Sequence, residues 1–317
     1  MKRRSFVLAS LAAAGCQRNR KKVIAVIPKA TSHMFWLSVQ AGAMAAAEEL
    51  NVEVLWNGPA SETEYSRQIQ IVDSMAARRV DGLAIAATER KALVQSVERA
   101  FDAGIPVTVF DSGLDTEKYT SWVATDNVEG GRLGARTLAG LLQGKGKAGI
   151  VMHAPGSVST GDREKGFEEA MAAEFKGIEI VARQFGQSDR ARARAATENI
   201  LTAFPNIDGL FCSSEPSTVG AALAVKGREL SGKVKIVGFD AADSLVEDLR
   251  GGTIDVLVVQ DPFKIGFEAV NTLVQKLNGK TPPRRLDLQA RAIRRQDLEQ
   301  PEVRQLLSPD VKRYLNK

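Results

Sequence analysis

Two similar α/β domains, each built round a parallel sheet doubly wound with helices, are what this sequence predicts. Three observations carry the expectation. The chain has 317 residues, about twice what one hydrophobic core organises. Short continuous apolar runs alternate with helical spacings, the pattern of βαβ units with right-handed crossovers. The second half also repeats marks of the first at offsets of 124 to 129 residues (Gly42 and Gly166, Gly82 and Gly209, Asp111 and Asp240).

In order, Val23–Ile27 is an uninterrupted apolar run, as a strand buried on both faces requires. Residues 35–50 have helical apolar spacing and good helix formers, and residues 52–55 return to strand. A helix over 62–79, a strand over 82–86, a helix over 91–103 and a strand over 106–110 follow. A second set starts near residue 148, and its echoes keep their order: Val80-Asp81-Gly82 against Ile207-Asp208-Gly209, and Phe110-Asp111 against Phe239-Asp240. Near the end, Arg285–Ile293 reads as a late strand and Pro301–Leu307 as a short helix.

Hydrophobic residues make up 44% and charged residues 26%, so the chain folds and is not disordered. The net charge of +5 is misleading, because seven of the 43 basic residues and none of the 38 acidic ones lie in residues 1–22. From residue 23 onward 36 basic side chains face 38 acidic ones, and nothing suggests a nucleic-acid partner. Residues 1–22 read as an export signal and tether: Met1-Lys2-Arg3-Arg4, then a short apolar run far below the roughly 20 residues of a membrane-spanning helix. Leu11 to Cys16 resembles a bacterial lipobox, with Ala13 where a large aliphatic residue is usual, and makes Cys16 the expected lipidation site. Arg3-Arg4-Ser5-Phe6-Val7 resembles a twin-arginine motif, while an ordinary secretory signal accounts for the segment equally. Cys212 is the other cysteine, so no internal disulfide forms once Cys16 is lipidated.

Phe110-Asp111 and Phe239-Asp240 each close the same strand of their own domain. Ligands of open parallel sheets sit beyond the strands' carboxyl ends. Two carboxylates facing each other across a cleft accept enough hydrogen bonds to hold several hydroxyls of one polyol. The other use of each Asp is to cap the helix that follows.

With these marks in place, the chain resembles the type I periplasmic substrate-binding proteins of the ribose-binding kind, over essentially all of residues 23–290. The marks are Ser32-His33-Met34-Phe35-Trp36 with Gly42, Val80-Asp81-Gly82, Ala124-Thr125-Asp126-Asn127 with Gly130-Gly131, Arg163 with Gly166-Phe167, Val237-Gly238-Phe239-Asp240, and Gln260-Asp261-Pro262 with Gly266. The resemblance implies two domains joined by three hinge crossings near Thr125–Asn127, Val259–Asp261 and Pro283–Asp287. The N-terminal domain would then be residues 23–125 with 261–285, and the C-terminal domain 126–260 with 286–317. It also implies a sugar clamped between the domains. Phe35 and Trp36 would flank the ring, Asp111, Asp240 and Arg163 would hold hydroxyls, Gln260 would be an amide ligand at a crossing, and Phe239 would pack beside the ligand. Lys29, His33, Ser112 and Ser214 stand where ribose binders of the family have serine, asparagine, arginine and asparagine. Lys29 is therefore expected either to meet an acid or phosphate on the ligand or to pair with Asp111.

The same resemblance implies a monomer in the periplasm or cell envelope, held to the membrane only by the lipid, with an ABC import permease as partner. The alternatives are a sensor feeding a chemoreceptor or kinase, a binder of a sugar acid or phosphate and, more remotely, a sugar-modifying enzyme. No enzyme and no cofactor are expected. Two histidines, His33 and His153, and one body cysteine cannot build a His/Cys metal cluster. Gly140 to Gly146 has the wrong spacing for a phosphate loop, and Gly156 to Gly161 is not a nucleophile elbow. A dinucleotide fingerprint is missing after the first strand, and a leader precedes Val23 where a sugar repressor has its helix-turn-helix.

Overall fold

The computed structural model describes residues 20–315. The export signal and Cys16 lie outside the described residues.

The first half runs β1 (Val23–Ile27), α1 (Met34–Glu49), β2 (Glu53–Trp56), α2 (Tyr65–Ala77), β3 (Gly82–Ile85), α3 (Val94–Asp102), β4 (Val107–Phe110) and β5 (Ser121–Thr125). The second half runs α4 (Asn127–Leu141), β6 (Gly146–Met152), α5 (Val158–Glu174), β7 (Ile178–Phe185), α6 (Arg190–Ala203), β8 (Gly209–Cys212), α7 (Glu215–Gly227), β9 (Lys235–Phe239), α8 (Asp243–Gly251) and β10 (Val256–Val259). The chain then passes through α9 (Pro262–Leu277), β11 (Arg285–Leu288), β12 (Arg291–Arg294), α10 (Pro301–Leu307) and α11 (Val311–Leu315).

Two six-stranded sheets result, in the orders β11-β5-β4-β3-β1-β2 and β12-β10-β9-β8-β6-β7. The first is parallel throughout, and the second is parallel except at β12. Central strands such as β3, β4, β8 and β10 are buried at every residue, which is why they read as apolar runs, broken only by Thr108 in β4. The sequence repeat is therefore a repeat of topology.

The chain changes sheets between Thr125 and Asn127 and between Val259 and Pro262, and a third time at Gln289–Ala290. This last crossing differs from the expected Pro283–Asp287. Arg285–Leu288 pairs in register with Trp122–Thr125 and so stays in the first sheet, while Arg291–Arg294 pairs with β10 in the second. The expected single strand over 285–293 is thus two strands, one per sheet. The tail also divides. Val303 of α10 is in the second domain's core, whereas α11 packs on α1 of the first, with Tyr314 5.7 Å from Phe263. Residues 286–288 and 311–315 therefore belong with the first domain rather than the second.

Glycines bring the helices carrying the site into close contact. A Cβ at Gly266 of α9 would lie 2.0 Å from the Val39 carbonyl of α1, and one at Gly166 of α5 would lie 2.0 Å from that of Val128 of α4. In both domains, then, a helix bearing cleft residues is pressed backbone to backbone on its neighbour. No helix of the described residues is long and apolar enough to cross a membrane.

Candidate functional site

Because both sheets are parallel, the carboxyl ends of β1, β4, β6, β8, β9 and β10 deliver Lys29, Asp111, His153, Ser214, Asp240 and Gln260 to one interdomain cleft. The first turn of α1 adds Phe35 and Trp36, and α5 adds Arg163. The remaining cavity holds about 30 Å³. Nine of the ten residues expected to bind ligand line it: Lys29, His33, Phe35, Trp36, Asp111, Arg163, Ser214, Asp240 and Gln260.

Phe239 does not line it. It is fully buried, with Phe211 6.3 Å away, and the Arg163 guanidinium stacks 4.1 Å above its ring. Its place is one shell further back, as the floor that levels Arg163. The fork is fixed by Nε donating to Asn127 (2.8 Å) and Nη1 to the Ser213 carbonyl (2.9 Å), with Asp240 3.7 Å away.

Asp111 and Asp240 share a rare backbone state, with φ of 52° and 68°. Non-glycine residues in this left-handed region store strain and concentrate at functional sites. Neither caps the helix after it. The cap position of α8 is Ala242, and Asp240 instead accepts from the Glu215 N–H (3.1 Å) and from Gln260 Nε2 (2.6 Å). Gln260 accepts in turn from Thr125 (2.6 Å), so one amide ties two hinge crossings to an acid of the site. Asp111 is buried and feels Lys29 and Arg163 only through space; burial outweighs them and pushes its carboxyl up to about 6.

Sequence reasoning missed Glu62, the hub of the cleft. It had been expected to begin a helix; α2 starts at Tyr65, and the loop before it turns the Glu62 carboxylate inward. Lys29 lies 2.9 Å from its Oε2, Trp36 donates to its Oε1 at 2.9 Å, and His33 lies 3.6 Å away. From the opposite domain His153 reaches its Oε2 at 2.9 Å. Burial works against this charge, but Lys29 and His153 prevail and hold the carboxyl well below its usual range. Burial pulls His153 down and keeps it neutral. Glu62 only accepts, so Nε2 carries the proton and Nδ1 accepts from the Ser214 hydroxyl (2.9 Å). For His33 burial also acts downward, yet the Glu62 hydrogen bond and charge raise its pKa overall.

Lys29 pairs with Glu62 rather than with Asp111, and also donates to Ser157 of the other domain at 3.0 Å. Ser112 accepts from the Ser159 N–H across the same gap at 3.3 Å. Ser159, Thr160, Glu215 and Pro216 complete the lining and were not foreseen. Their one sequence signal is position: each lies within four residues of an expected ligand residue or strand end. Among the described residues no cluster fit to hold a metal ion occurs.

A two-domain α/β clamp with paired acids at mirrored strand ends defines a class, the bilobal solute-binding proteins. Residues 24–281 match the family model described as periplasmic binding protein domain, and the chain belongs to that family, in its type I, ribose-binding branch. It is 30% identical over 285 residues to the D-ribose/D-allose-binding protein of Pseudomonas aeruginosa, covering 87% of this chain and 89% of that one. A carbohydrate transporter solute-binding protein of Agrobacterium radiobacter, solved in complex with D-arabinose, superimposes with a TM-score of 0.88 at 30% identity, covering 91% and 99% of the two chains. An ABC transporter solute-binding protein of Agrobacterium vitis, bound with α-D-tagatopyranose, gives 0.87 at 30% identity, covering 92% and 100%. The family is one of sugar-binding transport proteins of the periplasmic or extracytoplasmic space.

Proposed function

We propose that this protein is an exported, lipid-anchored monomer that captures one small sugar or polyol between its domains and presents the closed form to an ABC import permease. The observation that carries the reading is the convergence of two left-handed acids, a levelled arginine and two aromatic rings on one cleft between facing sheets. Asp111, Asp240 and Arg163 hold hydroxyls, Phe35 and Trp36 meet the apolar ring face, and Gln260 couples ligand to hinge. Hinge closure changes the surface a permease reads. Lys29 is already matched by Glu62. That pairing argues against a sugar acid or phosphate.

The test is a thermal-shift screen of the purified protein against pentoses, hexoses, polyols, sugar acids and sugar phosphates. A ligand at 1,000 times its Kd adds about 4 kcal/mol and moves Tm by several degrees. The expected result is a shift with a neutral compound, lost in Asp111→Ala, with the ligand recovered unchanged. Shifts with anionic compounds alone, or product formation, would refute it. Separately, Cys16→Ser is expected to release the protein from the membrane fraction.

A further inference from the structure

The carboxylates of the cleft outnumber the cations that answer them. Glu62, Asp111, Glu215 and Asp240 reach the cavity, against Lys29 and Arg163. Lys29 is matched by Glu62, and Arg163 lies 3.7 Å from Asp240. Arg190, half-exposed at the rim, pairs with Glu215. His153 is neutral and bonded on both ring nitrogens. His33, partly exposed, leans on Glu62. Asp111 makes no ion pair among the described residues.

Glu215, although paired with Arg190, is the more telling of these acids. It is 1% exposed, opens α7, and is anchored by its own N–H on Asp240. Arg190 holds Oε1, while Oε2 is buried with no hydrogen-bond partner. A buried carboxylate oxygen in that condition is costly and is normally answered by a donor. A ligand hydroxyl brings one donor and no charge; an ammonium brings three donors and the positive charge that Asp111 lacks. Burial pushes the Glu215 and Asp111 carboxyls up, as expected of acids awaiting a counter-charge.

We infer that the ligand is a polyol carrying one protonated amine, and that Glu215, through Oε2, is the residue by which the cleft prefers it to the neutral polyol. This rests on the cleft being a carbohydrate site and narrows its substrate class. Asp111 supplies the second half of the preference, an unneutralised charge in the same cavity.

The test is titration calorimetry of the full chain at pH 7.5 with matched pairs: D-glucosamine against D-glucose, D-galactosamine against D-galactose, and 1-amino-1-deoxy-D-sorbitol against D-sorbitol. In at least one pair the amine binds on the order of tenfold tighter, as one desolvated charge pair allows. N-Acetylation removes that advantage. E215Q brings the ratio near one, and its unfolding midpoint without ligand, measured beside wild type, shows that the variant is folded. R190A, which removes an exposed competitor for Glu215, raises the ratio. Hydroxyl compounds that bind as well as their amines in every pair, or an E215Q that weakens both alike, would overturn the inference and leave the sugar site standing. No binding by any compound, with or without an amine, would overturn both.

Discussion

Asp111→Asn removes a charge that the fold holds in an unfavourable place, and its effect on stability has a definite pH signature. Burial moves this carboxyl from 3.8 to about 6 despite Lys29 and Arg163. A shift of about two units corresponds to roughly 3 kcal/mol. The folded state binds the proton more tightly than the unfolded chain. The favourable contribution is therefore present below pH 4 and lost as pH rises through about 6. Urea unfolding of wild type and D111N at half-unit steps from pH 4.5 to 7.5 isolates this group, since the other titrations cancel in the difference. The variant should gain about 2 kcal/mol relative to wild type across that window, mostly between pH 5 and 6.5. Two curves that stay parallel with pH would refute the reasoning, because a carboxyl with an ordinary pKa has finished titrating by then.

Three further outcomes follow from the packing. Glu62→Gln leaves Lys29 buried without a counter-charge and weakens the bond that His153 makes across the cleft; the closed form should lose about 3–5 kcal/mol, seen as a larger radius in small-angle scattering and weaker ligand binding, and an unchanged radius and Kd would count against Glu62 as the hub. With its carboxyl held below the ordinary range, that contribution is complete above pH 4.5 and is lost only as pH falls well beneath it. Gly266→Ala should lower Tm by several degrees, because the new Cβ meets the Val39 carbonyl at 2.0 Å and overpacking costs about 1–3 kcal/mol. Gly251→Ala, with nothing within 4 Å of its Cβ, should raise Tm slightly; equal effects at the two glycines would refute the close-contact argument.

Much of the site was legible in the chain because parallel sheets leave little choice. A run buried on both faces must be apolar, and whatever follows it emerges at the carboxyl end, so Asp111, Asp240 and Gln260 are marked by where their strands stop. The repeat then shows that Asp111 and Asp240 are counterparts, and the structure gives them the same left-handed backbone. Phe239 misled because it closes its strand beside Asp240, but side chains alternate along a strand and its ring faces the core beneath Arg163.

What the sequence by itself determined is the local and periodic part: the alternation of elements, the duplication and the paired acids; Arg163 was marked only by resemblance. Tertiary structure alone decided which distant residues meet. Glu62 and His153 stand 91 positions apart in different domains, and Lys29 chose Glu62 over Asp111 only because the loop before α2 turns inward. Likewise β11 and β12, three residues apart in a run that reads as one strand, are claimed by different sheets because each has its own edge to complete. Hydrogen-bonding partners and buried counter-charges are chosen in space, and composition and spacing along the chain do not encode that choice.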